Sequence, residues 1–447
     1  MLKEYHAFLK TKVWKNVLQG FEPSWVPDFL FDFEKSLVDW SIRTGRSATF
    51  ADCGLGKTPM QLVWAQNVVE HTSGNVLILA PLGVSAQTVR EGEKFGIKVG
   101  RSQTGVIEEK ITVTNYERLG YWSPSDFAGV VCDESSILKN VDGKTRHLVT
   151  SFLRKIRYRW LGTATPAPND YMELGTSAEA LGVMKYHQML AMFFVNDGMD
   201  TSHWRLKGHA KRKFWYWVST WARAIRKPSD LGFDDGKFIL PPLRIMEHVV
   251  KSPAPKFGFM PVAAKTLENQ RKERKRTIRE RCELVASLVP KDRPFVSWCQ
   301  LNDEGDLLEE LIPGAVQVSG SDGVDVKEGR LNDFSLGNVQ RLVTKPKIAG
   351  FGLNWQHCSD VSFFPTHSFE QWYQAVRRCW RFGQKREVTV NTVSSEAESL
   401  VLSNMKRKEM DSQGMYNGII RDMREFQIGN AGSHGDSVDM ELPRWLK

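Results

Sequence analysis

Apolar and polar positions alternate along this chain in blocks. In the first third, the runs SATFAD (47–52), NVLILA (75–80), KITVTN (110–115) and GVVCDE (129–134) each end on polar or turn residues. Short, continuously apolar runs of this kind are expected of strands buried on both faces. Residues 58–71 and 84–94, lying between them, have the length and spacing of helices. Strands alternating with helices predict a parallel sheet whose ligands sit at the carboxyl ends of its strands. The pattern returns after residue 290, where RPFVSWC, AVQVSG, VQRLVT, DVSFFP and EVTVNTV are separated by helix-sized segments. Two such series predict two α/β domains, and no internal repeat at fixed spacing relates them.

The alternation breaks over residues 171–245, which are rich in aromatic residues and end in the loop-like KPSDLGFDDGKFILPP. The division this suggests is a first domain over 1–170 and a largely helical insertion over 171–245. A second domain over 246–425 and a flexible polar tail over 426–447 complete it. Within the insertion, Phe193, Phe194, Trp204, Phe214, Trp215, Trp217 and Trp221 interleave with Arg205, Lys207, Lys211, Arg212 and Lys213. Such composition can stack bases and bind a phosphate backbone. The helical spacing of Phe214, Trp217, Val218 and Trp221 favours a packed face instead, with Lys211–Lys213 as the contact if the segment meets DNA. Residues 261–289 read as one long helix. Its stretch RKERKRTIRER (271–281) holds seven basic and two acidic residues, a net +5, and is either a solvated face with i,i+4 pairs or a phosphate-tracking one.

Composition narrows the class. With 447 residues, 41% hydrophobic and 25% charged, the chain is globular and long enough for two cores. A formal charge of +9 favours a polyanionic partner without establishing one. Neither a signal-peptide core nor an apolar run of about 18 residues is present, so a cytoplasmic rather than membrane-spanning chain is expected. The six cysteines, at 53, 132, 282, 299, 358 and 379, form no CxxC pair and read as small buried hydrophobes.

Four motifs carry chemistry. The first is Asp52-Cys53-Gly54-Leu55-Gly56-Lys57-Thr58, between a predicted strand and a predicted helix. This is the context of a phosphate loop, where glycines let backbone N–H groups surround phosphate oxygens. Lys57 would meet the β- and γ-phosphates, and Thr58 would offer a hydroxyl to Mg²⁺. The second is Asp133-Glu134, delivered by an apolar strand. Asp133 would hold the metal, through water, and Glu134 would orient or deprotonate the attacking water. The third is Leu161-Gly162-Thr163-Ala164-Thr165-Pro166, whose hydroxyls could bond back to those carboxylates. The fourth runs from Gln374 to Gln384. On a helix starting near Phe369, Gln374, Arg378 and Arg381 share one face and could act on a nucleotide held by the other domain.

On these residues the chain resembles the Swi/Snf-like branch of helicase superfamily 2, in its bacteriophage and prophage form, over about residues 30–412. The resemblance also rests on Gln61, on Lys139-Asn140 after the carboxylates, on Gly350-Phe-Gly352-Leu353-Asn354, and on Gly383-Gln384. It implies an α/β protein of two RecA-like (P-loop NTPase) parallel-sheet domains, with ATP and Mg²⁺ between them. It further implies an ATP-hydrolysing DNA helicase or translocase, with duplex or single-stranded DNA rather than RNA lying across both domains; a duplex translocase or remodeller without strand separation, and a nucleic-acid scaffold that ATP switches without hydrolysis, are the alternatives. By position, Pro81 and Thr114-Asn115-Tyr116 look like nucleic-acid contacts. Gly352 and Asn354 look like the loop coupling DNA to ATP. Three departures stand out: Ser135-Ser136 after the carboxylates, Glu34 where a glutamine often reads adenine, and Pro346 in place of a threonine. Lys345 and Lys347, flanking Pro346, are candidate phosphate contacts in its stead.

Overall fold

The computed structural model describes residues 18–81, 83–196, 204–251, 267–349 and 353–429. Seven strands form the first sheet: β1 (Arg46–Ala51), β2 (Asn75–Ala80), β3 (Gly100–Arg101), β4 (Ile111–Asn115), β5 (Phe127–Asp133), β6 (Tyr158–Thr163) and β9 (Ala222–Ile225). Their order is β3-β4-β2-β5-β6-β1-β9, and all six pairings are parallel. Between β6 and β9 lies a small antiparallel pair, β7 (Phe194–Asn196) and β8 (Trp204–Leu206).

The second sheet comprises β10 (Leu243–Val250), β11 (Phe295–Trp298), β12 (Ala315–Val318), β13 (Arg341–Thr344), β14 (Asp360–Phe363) and β15 (Val388–Ser395). They run in the order β10-β15-β14-β11-β13-β12, again all parallel. The chain therefore folds around two parallel sheets, as its hydrophobic blocks predict. Each sheet is apolar on both faces because period-2 side chains serve opposite cores. In the first, Leu77 and Leu79 join one cluster while Val76 and Ile78 join the other.

The sheets do not follow the division at 170 and 245. β9 lies inside the expected insertion, yet it pairs with β1 and forms an edge of the first sheet. β10 begins at Leu243 and pairs along its whole length with β15. Short strands such as ARAI are easily missed amid helical aromatics, because four residues are too few to display a period. The helix Ser399–Gly429 crosses back: Leu402 and Met405 pack in the second sheet's core, Tyr416, Ile419, Ile420 and Met423 in the first's. Residues 430–447, most of the expected tail, lie outside the described residues.

The insertion's aromatics are packing residues. Phe193, Phe194, Phe214, Trp215, Trp217 and Trp221 are all buried in one cluster, with Trp204 packed against it. Lys211 and Arg212 pair with Asp422 and Glu425 of the last helix.

The single helix expected over 261–289 is two, Leu267–Arg276 and Ile278–Ser287, broken at Thr277. Fully buried Arg281 bridges the break. It donates to the Arg274 carbonyl and the Thr277 hydroxyl and pairs with Glu304 at 2.7 Å, drawing the second helix inward. Arg274, expected on a solvated or phosphate-tracking face, instead pairs with buried Glu398 at 2.6 Å. All six cysteines are buried. Among the described residues, no helix is long and apolar enough to cross a membrane.

Candidate active site

The carboxyl ends of β1, β5 and β6 lie side by side, since β6 separates β1 from β5. They carry the loop 52–58, Asp133-Glu134 and Thr163-Thr165. Gly54 and Gly56 have φ of +89° and +68°, conformations that an L side chain resists. Lys57 opens the helix Lys57–Thr72, with Thr58 and Pro59 in its first turn. The Lys57 ammonium donates to the carbonyls of Ala51 and Asp52, at 2.8 and 3.2 Å, inside its own loop. Leu55 and Cys53 are buried beneath that loop.

Asp133 and Glu134 are both buried, and Glu134 sits at φ +52°, one of two non-glycine residues with positive φ among those described. Such strain is retained where surrounding structure imposes it. Burial, and then the neighbouring Glu134 carboxylate, push the Asp133 carboxyl up to about 7, against the pull of Lys57 and Arg378. A carboxylate pair held this way fits a divalent cation, which would supply the missing positive charge. The Thr163 hydroxyl reaches Glu134 Oε2 at 3.5 Å and accepts the Thr165 N–H at 3.1 Å. The third motif thus touches the second, as its hydroxyls suggest.

The opposite wall comes from the second sheet. The helix Phe369–Cys379 has Phe369, Trp372, Ala375 and Val376 in its core, leaving Gln374, Arg377 and Arg378 toward the first unit. Arg381 lies just past its end, not on it, because the helix stops at Cys379. Arg378 Nη2 stands 3.8 Å from Glu134 Oε1. Arg378 and Arg381 each donate through Nη1 to the Leu353 carbonyl at 3.1 Å, tying both arginines to the residue before Asn354. Neither side-chain amide atom of buried Gln374 makes a hydrogen bond, and Arg378 Nη2, though it faces Glu134, makes none either. The two donors among these atoms, Gln374 Nε2 and Arg378 Nη2, are what an anion held by the loop 52–58 would satisfy. The side-chain amide of fully buried Gln61 also makes no hydrogen bond, and neither does the side-chain amide oxygen of Asn354.

Two departures acquire a setting. Glu34 is buried with its carboxylate against Gly56, where an added Cβ would lie 1.8 Å from Oε1. Burial pushes this carboxyl up to about 8, opposed by the Phe31 N–H that it accepts at 3.0 Å. Lys345 bonds to Asn302, whereas Lys347 is exposed in the short helix Pro346–Ala349.

The proposed polymer contacts are dispersed. Thr114, Asn115 and Tyr116 are buried; Tyr116 donates to the Asp133 carbonyl at 2.6 Å and Asn115 to Glu328 of the second unit at 3.2 Å. Pro81 is half-buried at the end of β2. Gly352 lies outside the described residues.

Residues to which the motifs assign no role complete the wall. Tyr373 and Arg377 both bond the Asp52 carboxylate. Arg226 approaches it at 4.0 Å, and the Phe382 backbone lies against Gly54. Their signal was present: Tyr373 and Arg377 stand at i and i+4, one face beside that of Gln374 and Arg378.

No family model matches the chain, and no curated protein matches it. Among solved structures it is similar to the SWI2/SNF2 ATPase core of Sulfolobus solfataricus in complex with dsDNA, at 16% identity and a TM-score of 0.40. That match covers 91% of this chain and 98% of the other.

Proposed function

We propose that this protein is an ATP hydrolase of the Swi/Snf-like kind, driven by DNA, that converts closure of its two units into movement along the polymer. The observation that carries the reading is the meeting of three groups at one place. The phosphate loop, the Asp133-Glu134 pair and Arg378 come from two sheets, and Arg378 Nη2 lies 3.8 Å from Glu134. Residues 52–58 would hold the triphosphate, and Thr58 with Asp133 would hold Mg²⁺, whose charge offsets that developing on the phosphates. Lys57 would then exchange its carbonyl partners for phosphate oxygens. Glu134 would accept the proton of the attacking water at a carboxylate oxygen, held in orientation by Thr163. Arg378 and Arg381 would leave the Leu353 carbonyl for the γ-phosphate, and that exchange would report the nucleotide state to the loop ending at Asn354.

The case for DNA is electrostatic. The net charge is +9, and a cleft between the two units is lined by Lys139, Lys347, Arg407 and Lys408 against Glu370 and Asp411. Polyanion binding in such a cleft releases counterions and weakens with salt. The deciding experiment measures ATPase rate with no polymer, single-stranded DNA, duplex DNA and RNA, using Glu134→Gln as control. Stimulation by duplex DNA, lost in the variant, is expected and favours duplex translocation. Stimulation by single strands alone would point to strand separation, and a rate indifferent to every polymer would refute the motor reading.

A further inference from the structure

Asp52 is the first residue of the phosphate loop and is 2% exposed. Its backbone N–H donates to Ile225 at 3.0 Å, and its carbonyl accepts Lys57 at 3.2 Å. Its carboxylate takes the Cys53 N–H at 2.6 Å and then crosses to the other unit, accepting Tyr373 Oη at one oxygen and Arg377 Nη2 at the other. Arg377 is itself held: its guanidinium lies 5.3 Å from the Tyr373 ring centroid and 4.7 Å from that of Trp380, and Nη1 donates to the Trp380 carbonyl. A planar cation fixed on two sides transmits position better than a flexible one.

The next residue, Arg378, faces Glu134. Consecutive arginines of one helix therefore touch the two nucleotide motifs of the opposite sheet, one through Asp52 and one directly. Wherever Arg377 sets that helix against the loop, it sets Arg378 against the carboxylates.

We propose that Arg377, braced by Tyr373, is a positioning residue that locks the helix of the finger arginines to the phosphate loop through Asp52. The inference rests on the ATPase reading above. It separates two properties that ordinary site residues combine. Without the guanidinium, Asp52 keeps the Cys53 N–H, Tyr373 and nearby Arg226, so the loop can still cradle a nucleotide. What is lost is the registry of Arg378 and Arg381 in the closed state, hence turnover.

The test compares full-length wild type, Arg377→Met, Arg377→Lys, Asp52→Asn and the double variant Asp52→Asn/Arg377→Met. DNA-stimulated kcat, Kd for a fluorescent ATP analogue and Tm are measured for each. Arg377→Met is expected to lower kcat about tenfold or more while Kd stays within about threefold, a transition-state loss rather than a binding loss. Arg377→Lys should recover part of kcat, and the double variant should be no slower than the slower single one, as coupled residues behave. Single losses that multiply in the double variant, or an unchanged kcat in Arg377→Met, would overturn the lock. Should Arg377→Met fold poorly, Arg377→Lys decides: a kcat equal to that of wild type with Kd weakened overturns it too. Wild type without ATP turnover would be a different failure, sinking the ATPase reading and the lock with it.

Discussion

Lys57 donates to two carbonyls of its own loop, and Arg378 with Arg381 shares the single carbonyl of Leu353. Cations parked on backbone oxygens are held in place without being committed, and a polyphosphate would be the stronger acceptor for all three. Lys57→Ala should therefore abolish turnover by weakening triphosphate binding itself. Arg381→Ala should spare ATP binding and slow hydrolysis by about 10³-fold or more, the scale of an arginine finger. Equilibrium nucleotide binding beside steady-state ATPase separates the two, and hydrolysis retained in either variant contradicts the role assigned to it. Glu34 adds a pH dependence. Because burial lifts its carboxyl from 4.5 to about 8, the folded state prefers the protonated form. That contribution to stability is complete below about 4.5 and is lost as pH rises through about 8. Thermal midpoints measured from pH 5 to 9 should fall less steeply for Glu34→Gln than for wild type; parallel curves would show that another group is responsible.

At the scale of elements, the loop after β1 and the turn after the helix Phe369–Cys379 are fitted to each other. A Cβ on Gly54 would meet the Phe382 nitrogen at 2.7 Å, on a residue already at φ +89°. Gly54→Ala should cost about 1 kcal/mol in backbone strain and also push the two walls apart. A lowered kcat with little change in the circular-dichroism spectrum is the expected signature, and wild-type kinetics would deny the contact any role. The helix Lys211–Trp221 makes the opposite case, an element whose composition suggests a polymer and whose environment assigns it to packing. Trp217→Ala should destabilise by about 3–5 kcal/mol, as large aromatic deletions from cores do, read from denaturant midpoints. Replacing Lys211 and Arg212 by Ala should leave the salt dependence of DNA binding unaltered, since both already pair with Asp422 and Glu425. A slope reduced by one or two phosphate contacts would reopen their role as DNA contacts.

For the molecule as a whole, the two units are joined at more than the candidate nucleotide site. Arg101 and Asn115 meet Glu328, Arg90 meets Asn332 and Lys139 meets Glu370. The helix Ser399–Gly429 carries the chain back onto the first sheet, where Tyr416 donates to the carbonyls of Phe50 and Ile225 at 2.8 and 3.1 Å. Those carbonyls sit where β1 and β9 enter and support the phosphate loop, so the chain's last described element steadies its first motif. Met423→Ala, in that buried contact, should lower stability by about 2–5 kcal/mol and depress ATPase in parallel. Full stability in that variant would mean that the helix is dispensable to the first unit.

What was legible beforehand follows from how information is stored. The two parallel sheets could be read because continuously apolar runs ending in turns are a local pattern, repeated in NVLILA, FVSW and VTVNTV. The candidate site residues of 52–58, of Asp133-Glu134 and of 374–384 could be proposed because each group lies in one short segment. β9, the break at Thr277 and the return of the last helix could not. Each depends on a partner far away in the chain: β1 for ARAI, Glu304 for Arg281, Phe50 for Tyr416. The Asp52–Arg377 link belongs with them, for 325 residues separate its ends. Residue types and their spacing determined which side chains this protein offers for chemistry. Only the tertiary structure decided which charges face one another, because burial and pairing arise when two distant segments leave water together.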